Sequence, residues 1–377
     1  MADVRQNSIC FIIPKYVTFS TGGAEIQVHY LVTEFLKRDW QVEIICGGIG
    51  KEQVIANSSY NDPRITFHYY KLRSIRSLEF FEVYKLLLRT KASYYYQRTD
   101  FALTAACALY CKRFKKTMVY AVAQDKDAHL DKYFNEFLSF KYQSKIKRWI
   151  RKVDFKVIDC MVEYGKKSST HIVCQNKVQK ELFQKNFKRD AVLIPSSYPA
   201  QSSASIEKER IVLWVSNMTS IKQAHLFIEL VDQLEVAPVW RFVMIGRISL
   251  EIKEYGILPE NLEFLGELSY SETESWFQRS KILVNTSKSE GMPNTFIQAW
   301  FNKVLVLGLN VDPDEVLQNK KCGVSCNGDF DRLRGVLDTA IKGKFNDELF
   351  IDNGYQYACT SFDVEKNADA LIKLVQS

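Results

Sequence analysis

The chain has 377 residues, of which 46% are hydrophobic and 25% charged, and a net charge of +7. This length exceeds what one core fills and points to two domains, and the balance is that of an ordinary globular protein. The longest apolar stretch, Phe101 to Cys111, is too short to span a membrane, and the nine cysteines lack framework spacing, which argues for a reduced, cytosolic protein.

Met1-Ala2-Asp3-Val4-Arg5 leads straight into a buried strand, Ile9 to Pro14, with no signal-peptide pattern. Gly22-Gly23-Ala24-Glu25 then opens an amphipathic helix with Ile26, Tyr30, Leu31, Phe35 and Leu36 on one stripe, and Val42 to Gly47 is the next strand. Two glycines at a loop-to-helix join either admit a phosphate or simply start the helix, and the G-x-G-x-x-G order of a dinucleotide site is absent. Thr117 to Ala123 reads as a strand ending in Gln124-Asp125-Lys126-Asp127, where the acidic pair either binds a metal, acts as acid or base, or caps the next helix. His171 to Gln175 and Ala191 to Pro195 complete the first half, and the polar stretch Ser196 to Ser205 is read as the linker.

The second half restarts with Ile211 to Val215, followed by Ser216-Asn217-Met218-Thr219-Ser220-Ile221-Lys222 and a helix from about Ala224 to Leu234. A cation at a helix amino end is unfavourable unless an anion joins it, so Lys222 favours a phosphate site. Arg241 to Gly246 and Asn261 to Gly266 are strands that end in glycine, and strands at Ile282 and Val304 to Leu307 follow. Between these last two lies Ser289-Glu290-Gly291-Met292-Pro293-Asn294-Thr295-Phe296-Ile297-Gln298. It reads as a loop at the carboxyl end of a strand turning into a helix amino terminus, where open α/β sheets take ligands and backbone N–H groups favour an anion; a capped helix start without a ligand is the plain alternative. The alternation of strands and helices predicts a parallel sheet in each half, and Asp363 to Val375 reads as a final helix. Cys322-Gly-Val-Ser-Cys326 has no second pair or histidine cluster, so no metal site is expected.

Charge is divided unevenly. Residues 1–200 hold 33 Lys and Arg against 19 Asp and Glu, a net of +14, whereas residues 201–377 hold 18 against 25, a net of −7. The basic excess peaks from Lys141 to Asp190, where Lys145, Lys147, Arg148, Arg151 and Lys152 interleave with Ile146, Trp149, Ile150, Val153 and Phe155. Such a segment suits an anionic membrane surface or a solvated helix face. Nucleic acid is disfavoured because no recognition motif accompanies the charge.

Together these motifs resemble the retaining nucleotide-sugar glycosyltransferases of family 4, which have the GT-B fold: two Rossmann-like β/α/β domains facing a cleft, with the last helix crossing back to the first domain. The likeness spans nearly the whole chain and is carried by Gly22-Gly23-Ala24-Glu25, by Lys222 after the first strand of the second half, by Gly266 and Leu268, and by Glu290 to Gln298, which resembles the E-x7-E donor motif. The resemblance implies an acceptor-binding domain at 1–197, a donor-binding domain at 206–362 and a crossover helix at 363–377. It implies that Glu290 bonds hydroxyls of the transferred sugar, that Asn294 and Thr295 serve the diphosphate beside Pro293, and that Gln298 contacts the ribose. Lys222 would neutralise the leaving diphosphate, Gly22 and Gly23 would face the same phosphates, and Asn217 and Gly246 would line the donor site. The resemblance further implies that no metal or cofactor is required, that the co-substrate is a UDP- or GDP-sugar, and that the acceptor is a glycan or lipid-linked glycan of a bacterial-type surface polysaccharide pathway, met at the cytoplasmic face of the membrane.

Three positions depart from the pattern. The second glutamate is Gln298, the arginine five residues before the lysine is Asn217, and the family's acceptor-side histidine has no clean match, with Asp125, Asp127 and His129 in that region. Asp125 is the candidate for acid–base work beside Glu290 and Lys222. These departures leave two other classes open, a non-catalytic GT-B subunit and a nucleotide-sugar epimerase.

Overall fold

In the computed structural model the described residues are 7–17, 22–48, 62–140, 144–199, 207–234, 239–247 and 259–377. Most of the polar stretch read as a linker, at 200–205, and the first residues of the basic segment, at 141–143, lie outside them. The chain forms two compact units, Met1–Ser197 with Val364–Ser377, and Tyr198–Asp363.

The first unit runs β1 (Ser8–Ile13), α1 (Gly23–Lys37), β2 (Gln41–Gly47), β3 (Ile65–Tyr70), α2 (Glu79–Leu87), β4 (Tyr94–Arg98), α3 (Ala102–Phe114), β5 (Thr117–Ala121), α4 (Lys132–Ser139), α5 (Lys145–Ser168), β6 (His171–Cys174), α6 (Lys177–Phe187) and β7 (Val192–Leu193). Its seven strands lie in the order β3-β2-β1-β4-β5-β6-β7, and neighbouring strands are parallel throughout. Parallel strands with helices on both faces must be apolar on both sides, and every residue of β1 is buried. The expected strand at Ala191 to Pro195 is only two residues long.

The 24-residue helix α5 organises the surrounding loops through its carboxylates. Asp154 accepts from the backbone N–H groups of Arg76 and Ser77, both at 3.0 Å. Asp159 accepts from those of Tyr133 (2.9 Å) and Phe134 (2.8 Å), so it caps α4 from a distance. A second feature of α5 concerns its outer face. Ile146, Trp149, Ile150, Val153 and Val157 recur at helical spacing but face solvent, with Ile146 73% and Trp149 66% exposed.

The second unit runs β8 (Ile211–Val215), α7 (Ala224–Asp232), β9 (Arg241–Ile245), β10 (Leu262–Phe264), α8 (Tyr270–Arg279), β11 (Ile282–Asn285), α9 (Asn294–Phe301), β12 (Leu305–Gly308), α10 (Val316–Asn319), β13 (Val324–Ser325), α11 (Phe330–Ile341) and α12 (Glu348–Ser361). The strand order is β10-β9-β8-β11-β12-β13, again all parallel. Trp214, Phe227 and Phe242 centre its core, each contributing about 1.5–3 kcal/mol through burial.

The last helix, α13 (Val364–Gln376), returns to the first unit and packs on α1. Arg38 at the end of α1 bonds Asp369 at 2.9 Å, and Leu371 and Val375 are buried. Ser196 and Ser197, read as solvated linker residues, are instead buried. The Ser197 backbone carbonyl accepts from the Gln27 side-chain amide at 2.8 Å, and Asn367 donates to the Ser196 carbonyl at 3.3 Å.

Candidate active site

In each sheet the strand order reverses direction between two neighbours, β1 and β4 in one and β8 and β11 in the other. Open α/β sheets take ligands beyond the carboxyl ends of the strands at such a point. In the second unit Ile282 pairs with Val212 and Leu283 with Leu213, so the loops after β8 and β11 emerge side by side. They are fastened to each other. The Trp214 indole donates to the Thr286 hydroxyl at 3.0 Å, and that hydroxyl faces the backbone carbonyls of Lys222 at 2.8 Å and Gln223 at 3.0 Å. The Lys288 amide donates to the Ile221 carbonyl at 2.8 Å.

This clasp brings Lys222 and Glu290, 68 positions apart in the chain, into an ion pair of 2.6 Å. Neither side chain is sealed from water, with exposures of 24% and 17%. Asn285 donates to the second Glu290 oxygen at 2.9 Å while its own carbonyl accepts from the Ser287 amide at 3.0 Å. Glu290 is therefore fixed through both oxygens. Beside it α9 begins after Pro293, which offers no side-chain cap, and its first turn carries no acidic residue, so the positive end of the helix dipole meets the site. Asn294 and Thr295 occupy the first turn, both half-buried, and Pro293 is buried.

The remaining donor-side positions fall around this pair. Asn217 is exposed in the loop after β8. Gly246 ends β9 with φ of 151°, and a Cβ there would stand 1.7 Å from the Ser216 carbonyl oxygen, so only glycine lets this strand end approach the loop. Gly266 is left-handed at φ of 73°, with open space where its Cβ would be, and Leu268 is half-buried two residues on. Gln298 is buried, and its amide nitrogen is taken by the buried Glu274 of α8 at 3.2 Å.

In the first unit Gly22 precedes α1 with no side-chain cap, and the Glu25 carboxylate folds back over it. Burial pushes the Glu25 carboxyl up, against the opposing fields of Lys15 and Arg98. Gly23 is exposed at the first helical position. After β5, Asp125 is half-buried and accepts from the side-chain amides of Gln179 (2.9 Å) and Asn176 (3.4 Å). Asp127 is wholly buried and accepts from the backbone amides of Ala123 (3.0 Å) and Gln124 (3.2 Å) and from Lys132 (2.7 Å). Of the alternatives for this pair, Asp127 serves as a cap and a buried ion-pair partner and is not presented to a ligand. His129 is exposed. Among the described residues no group of three or more His, Cys, Asp or Glu side chains is arranged to hold a metal.

The sequence reading missed Asp100 at the end of β4. It is wholly buried and bonded to Lys132 and to Lys166, the latter at 2.8 Å. Burial alone would raise its carboxyl, but Lys166 and then Lys132 outweigh that and hold it below the usual carboxylate range. Burial pushes the Asp127 carboxyl up, and the neighbouring charge of Asp100 adds to this.

Residues 209–342 match the family described as glycosyl transferases group 1. Two parallel Rossmann-like sheets, the returning helix and this match agree. The chain is a GT-B glycosyltransferase. The transferase is 23% identical, over 97% of its length and 98% of the relative's, to a Campylobacter jejuni subsp. jejuni protein. That protein is named GalNAc-alpha-(1->4)-GalNAc-alpha-(1->3)-diNAcBac-PP-undecaprenol alpha-1,4-N-acetyl-D-galactosaminyltransferase. Among solved structures the transferase superposes on the HepE protein of Anabaena in complex with UDP and glucose, with a TM-score of 0.71, 14% identity and coverage of 98% and 100% of the two chains. It superposes equally on sucrose-phosphate synthase of Thermosynechococcus elongatus, with a TM-score of 0.71, 13% identity and 98% coverage of each chain.

Proposed function

We propose that this transferase, of the retaining family 4 type, moves a hexose-type sugar, N-acetylhexosamines included, from a nucleoside diphosphate, UDP being the best supported, to a hydroxyl of a lipid-diphosphate-linked glycan in bacterial surface polysaccharide assembly. The observation that carries the reading is the Lys222–Glu290 pair of 2.6 Å, built from the two loops at the point where the second sheet reverses. An ammonium has three N–H donors, so Lys222 can keep one on Glu290 and turn the others to a diphosphate. Glu290, acceptor-only when ionised, then takes hydroxyl hydrogens of the sugar. The uncapped start of α9 adds backbone donors and dipole charge where the leaving group gains charge.

In this mechanism the acceptor oxygen attacks the anomeric carbon from the face that the diphosphate leaves. One C–O bond to the acceptor forms as the C–O bond to the diphosphate breaks, and the acceptor proton passes to a leaving phosphate oxygen. Configuration is retained, and no enzyme nucleophile is needed. Support for the donor and acceptor comes from relatives: the HepE structure contains UDP, and the Campylobacter protein is named for an undecaprenol-linked acceptor.

The outward stripe of α5 fits the same reading. Its exposed Ile146, Trp149, Ile150, Val153 and Val157 are interleaved with Lys145, Lys147, Arg148, Lys152 and Lys156. Such a face rests on an anionic leaflet, each basic residue adding about 1 kcal/mol near the surface, and it holds the enzyme where a lipid-linked acceptor is found.

The test is a thermal-shift titration of the wild type and of Lys222→Ala with UDP, GDP, ADP and CMP. At a hundredfold excess over Kd, binding adds about 2.7 kcal/mol, so UDP is expected to raise the melting temperature by several degrees in the wild type and by much less in the variant. If no nucleotide shifts the wild type, the donor-site reading is wrong.

A further inference from the structure

Where the family pattern has its second carboxylate, α9 carries the amide of Gln298, yet a carboxylate stands next to it. Glu274, on the neighbouring helix α8, is only 4% exposed. Its two oxygens accept from the Gln298 amide nitrogen at 3.2 Å and the Asn302 amide nitrogen at 2.6 Å. Asn302 also donates to the Gln298 backbone carbonyl at 2.9 Å, and its own backbone carbonyl accepts from Lys208 at 2.6 Å. The cluster is thus a buried anion held by two amides, with an ammonium close by.

A carboxylate only accepts hydrogen bonds. Glu274 therefore forces the nitrogen of the Gln298 amide toward α8 and turns the carbonyl oxygen away from it. Among the described residues nothing donates to that oxygen, and Gln298 keeps 8% of its surface exposed. Gln298 lies one helical turn after Asn294, so the two share a face of α9.

We propose that Glu274 is a positioning residue that makes Gln298 act as a pure acceptor toward the ribose hydroxyls of the donor nucleotide. This rests on the nucleotide-sugar reading above. An ordinary amide is free to turn either end to a ligand, whereas this one is locked with its oxygen out. The arrangement carries the negative charge one shell back from the nucleotide, so the family's glutamate cannot simply be restored. Gln298→Glu would set two carboxylates within hydrogen-bond distance in a buried place, where both cannot be ionised together.

The experiment is calorimetric titration with UDP and with GDP of the wild type, Gln298→Glu, Glu274→Gln and the exchange variant carrying both, at pH 6 to 8.5, with unliganded melting as the folding control. Gln298→Glu is expected to weaken UDP binding about tenfold or more at the upper end of the range, the weight of a lost hydrogen bond to a charged group, and to recover as acid supplies the shared proton. Glu274→Gln releases the amide, which should weaken UDP binding several-fold without the pH dependence of Gln298→Glu. The exchange variant keeps the composition and net charge of the wild type, so it remains decisive if Gln298→Glu alone does not fold, and it is expected to bind within about threefold of the wild type. The proposal is overturned if Gln298→Glu binds as the wild type does with no pH dependence, or if the exchange variant folds but fails to recover binding. Wild type that binds neither nucleotide removes the underlying reading as well, whereas wild type that binds without this pattern removes only the role of Glu274.

Discussion

Replacing Thr286 by valine tests how much its hydroxyl contributes to holding the two loops of the second unit together. Thr286 is wholly buried, and valine keeps its shape while deleting the oxygen. Two groups then lose their partner: the indole N–H of Trp214, itself 2% exposed, and the Lys222 backbone carbonyl 2.8 Å away. An unpaired buried polar group costs about 1–3 kcal/mol. The Lys222 carbonyl regains part of this because its loop can relax toward water, so the total expected is about 2–4 kcal/mol. For a unit of this size 1 kcal/mol corresponds to about 2–4 °C, and the melting temperature should fall by about 5–15 °C. Calorimetry of Thr286→Val and Thr286→Ser, with and without UDP, measures this. Serine keeps the hydroxyl and should recover most of the loss. Nucleotide affinity should fall in the valine variant as well, because the Lys222 loop loses one of its two fastenings and keeps only the Lys288–Ile221 bond. A Thr286→Val protein melting within a degree or two of the wild type would refute the reasoning.

Two other outcomes are expected. Ile146→Ser with Trp149→Ser should abolish most binding to vesicles of mixed anionic and neutral lipid while leaving the melting temperature within about 2 °C, since both side chains face solvent; vesicle binding that is unchanged, or insensitive to salt, would remove the leaflet contact. Stability should also fall on acidification through His29. Burial lowers its pKa from 6.5 to about 4, with Nδ1 3.0 Å from the Tyr16 hydroxyl. The unfolded chain binds this proton as pH falls through 6.5 and the folded chain does not until about 4. The contribution is therefore present above the unfolded value and drains away between the two, by about 3 kcal/mol. Melting curves of wild type and His29→Gln over that range should converge toward the acid end, and parallel curves would rule the assignment out.

What could be read from the residues alone was whatever is local in sequence. A strand, a loop and a helix start fall within a short span at Glu290 to Gln298, so the type of place was legible, as was the conflict of Lys222 with its helix end. The hydroxyl of Thr286 and the amide of Asn285, which fix the two loops and the carboxylate, sit in the same span, but nothing in the spacing says which way they turn. Glu274 was invisible because its partner is 24 positions away and its helix carries an ordinary mixture of polar and aromatic residues. Asp100, Lys132 and Lys166 meet only after β4, α4 and α5 are packed, and one lysine among many in a basic helix has no signature. The hydroxyls of Ser196 and Ser197 suggested a linker, whereas the structure buries both residues and bonds α1 and α13 through their backbone carbonyls, which leave no mark in the letters. The apolar stripe of α5 was present in the letters, but whether it faced core or solvent depended on Asp154 and Asp159, which turn the opposite face inward.

The chain enters the second unit at Tyr198 and leaves it at Asp363, and these two residues bridge each other, with the Tyr198 amide also donating to the Phe362 carbonyl at 2.7 Å. In gene terms the second unit is an insert whose ends lie together, and codons 364–377 return to the first unit. A nonsense mutation or frameshift anywhere within codons 198–363 would therefore also strip α13 from α1 and damage the first unit. For the same reason residues 198–363 form a natural cassette, excisable or exchangeable between relatives through a single seam.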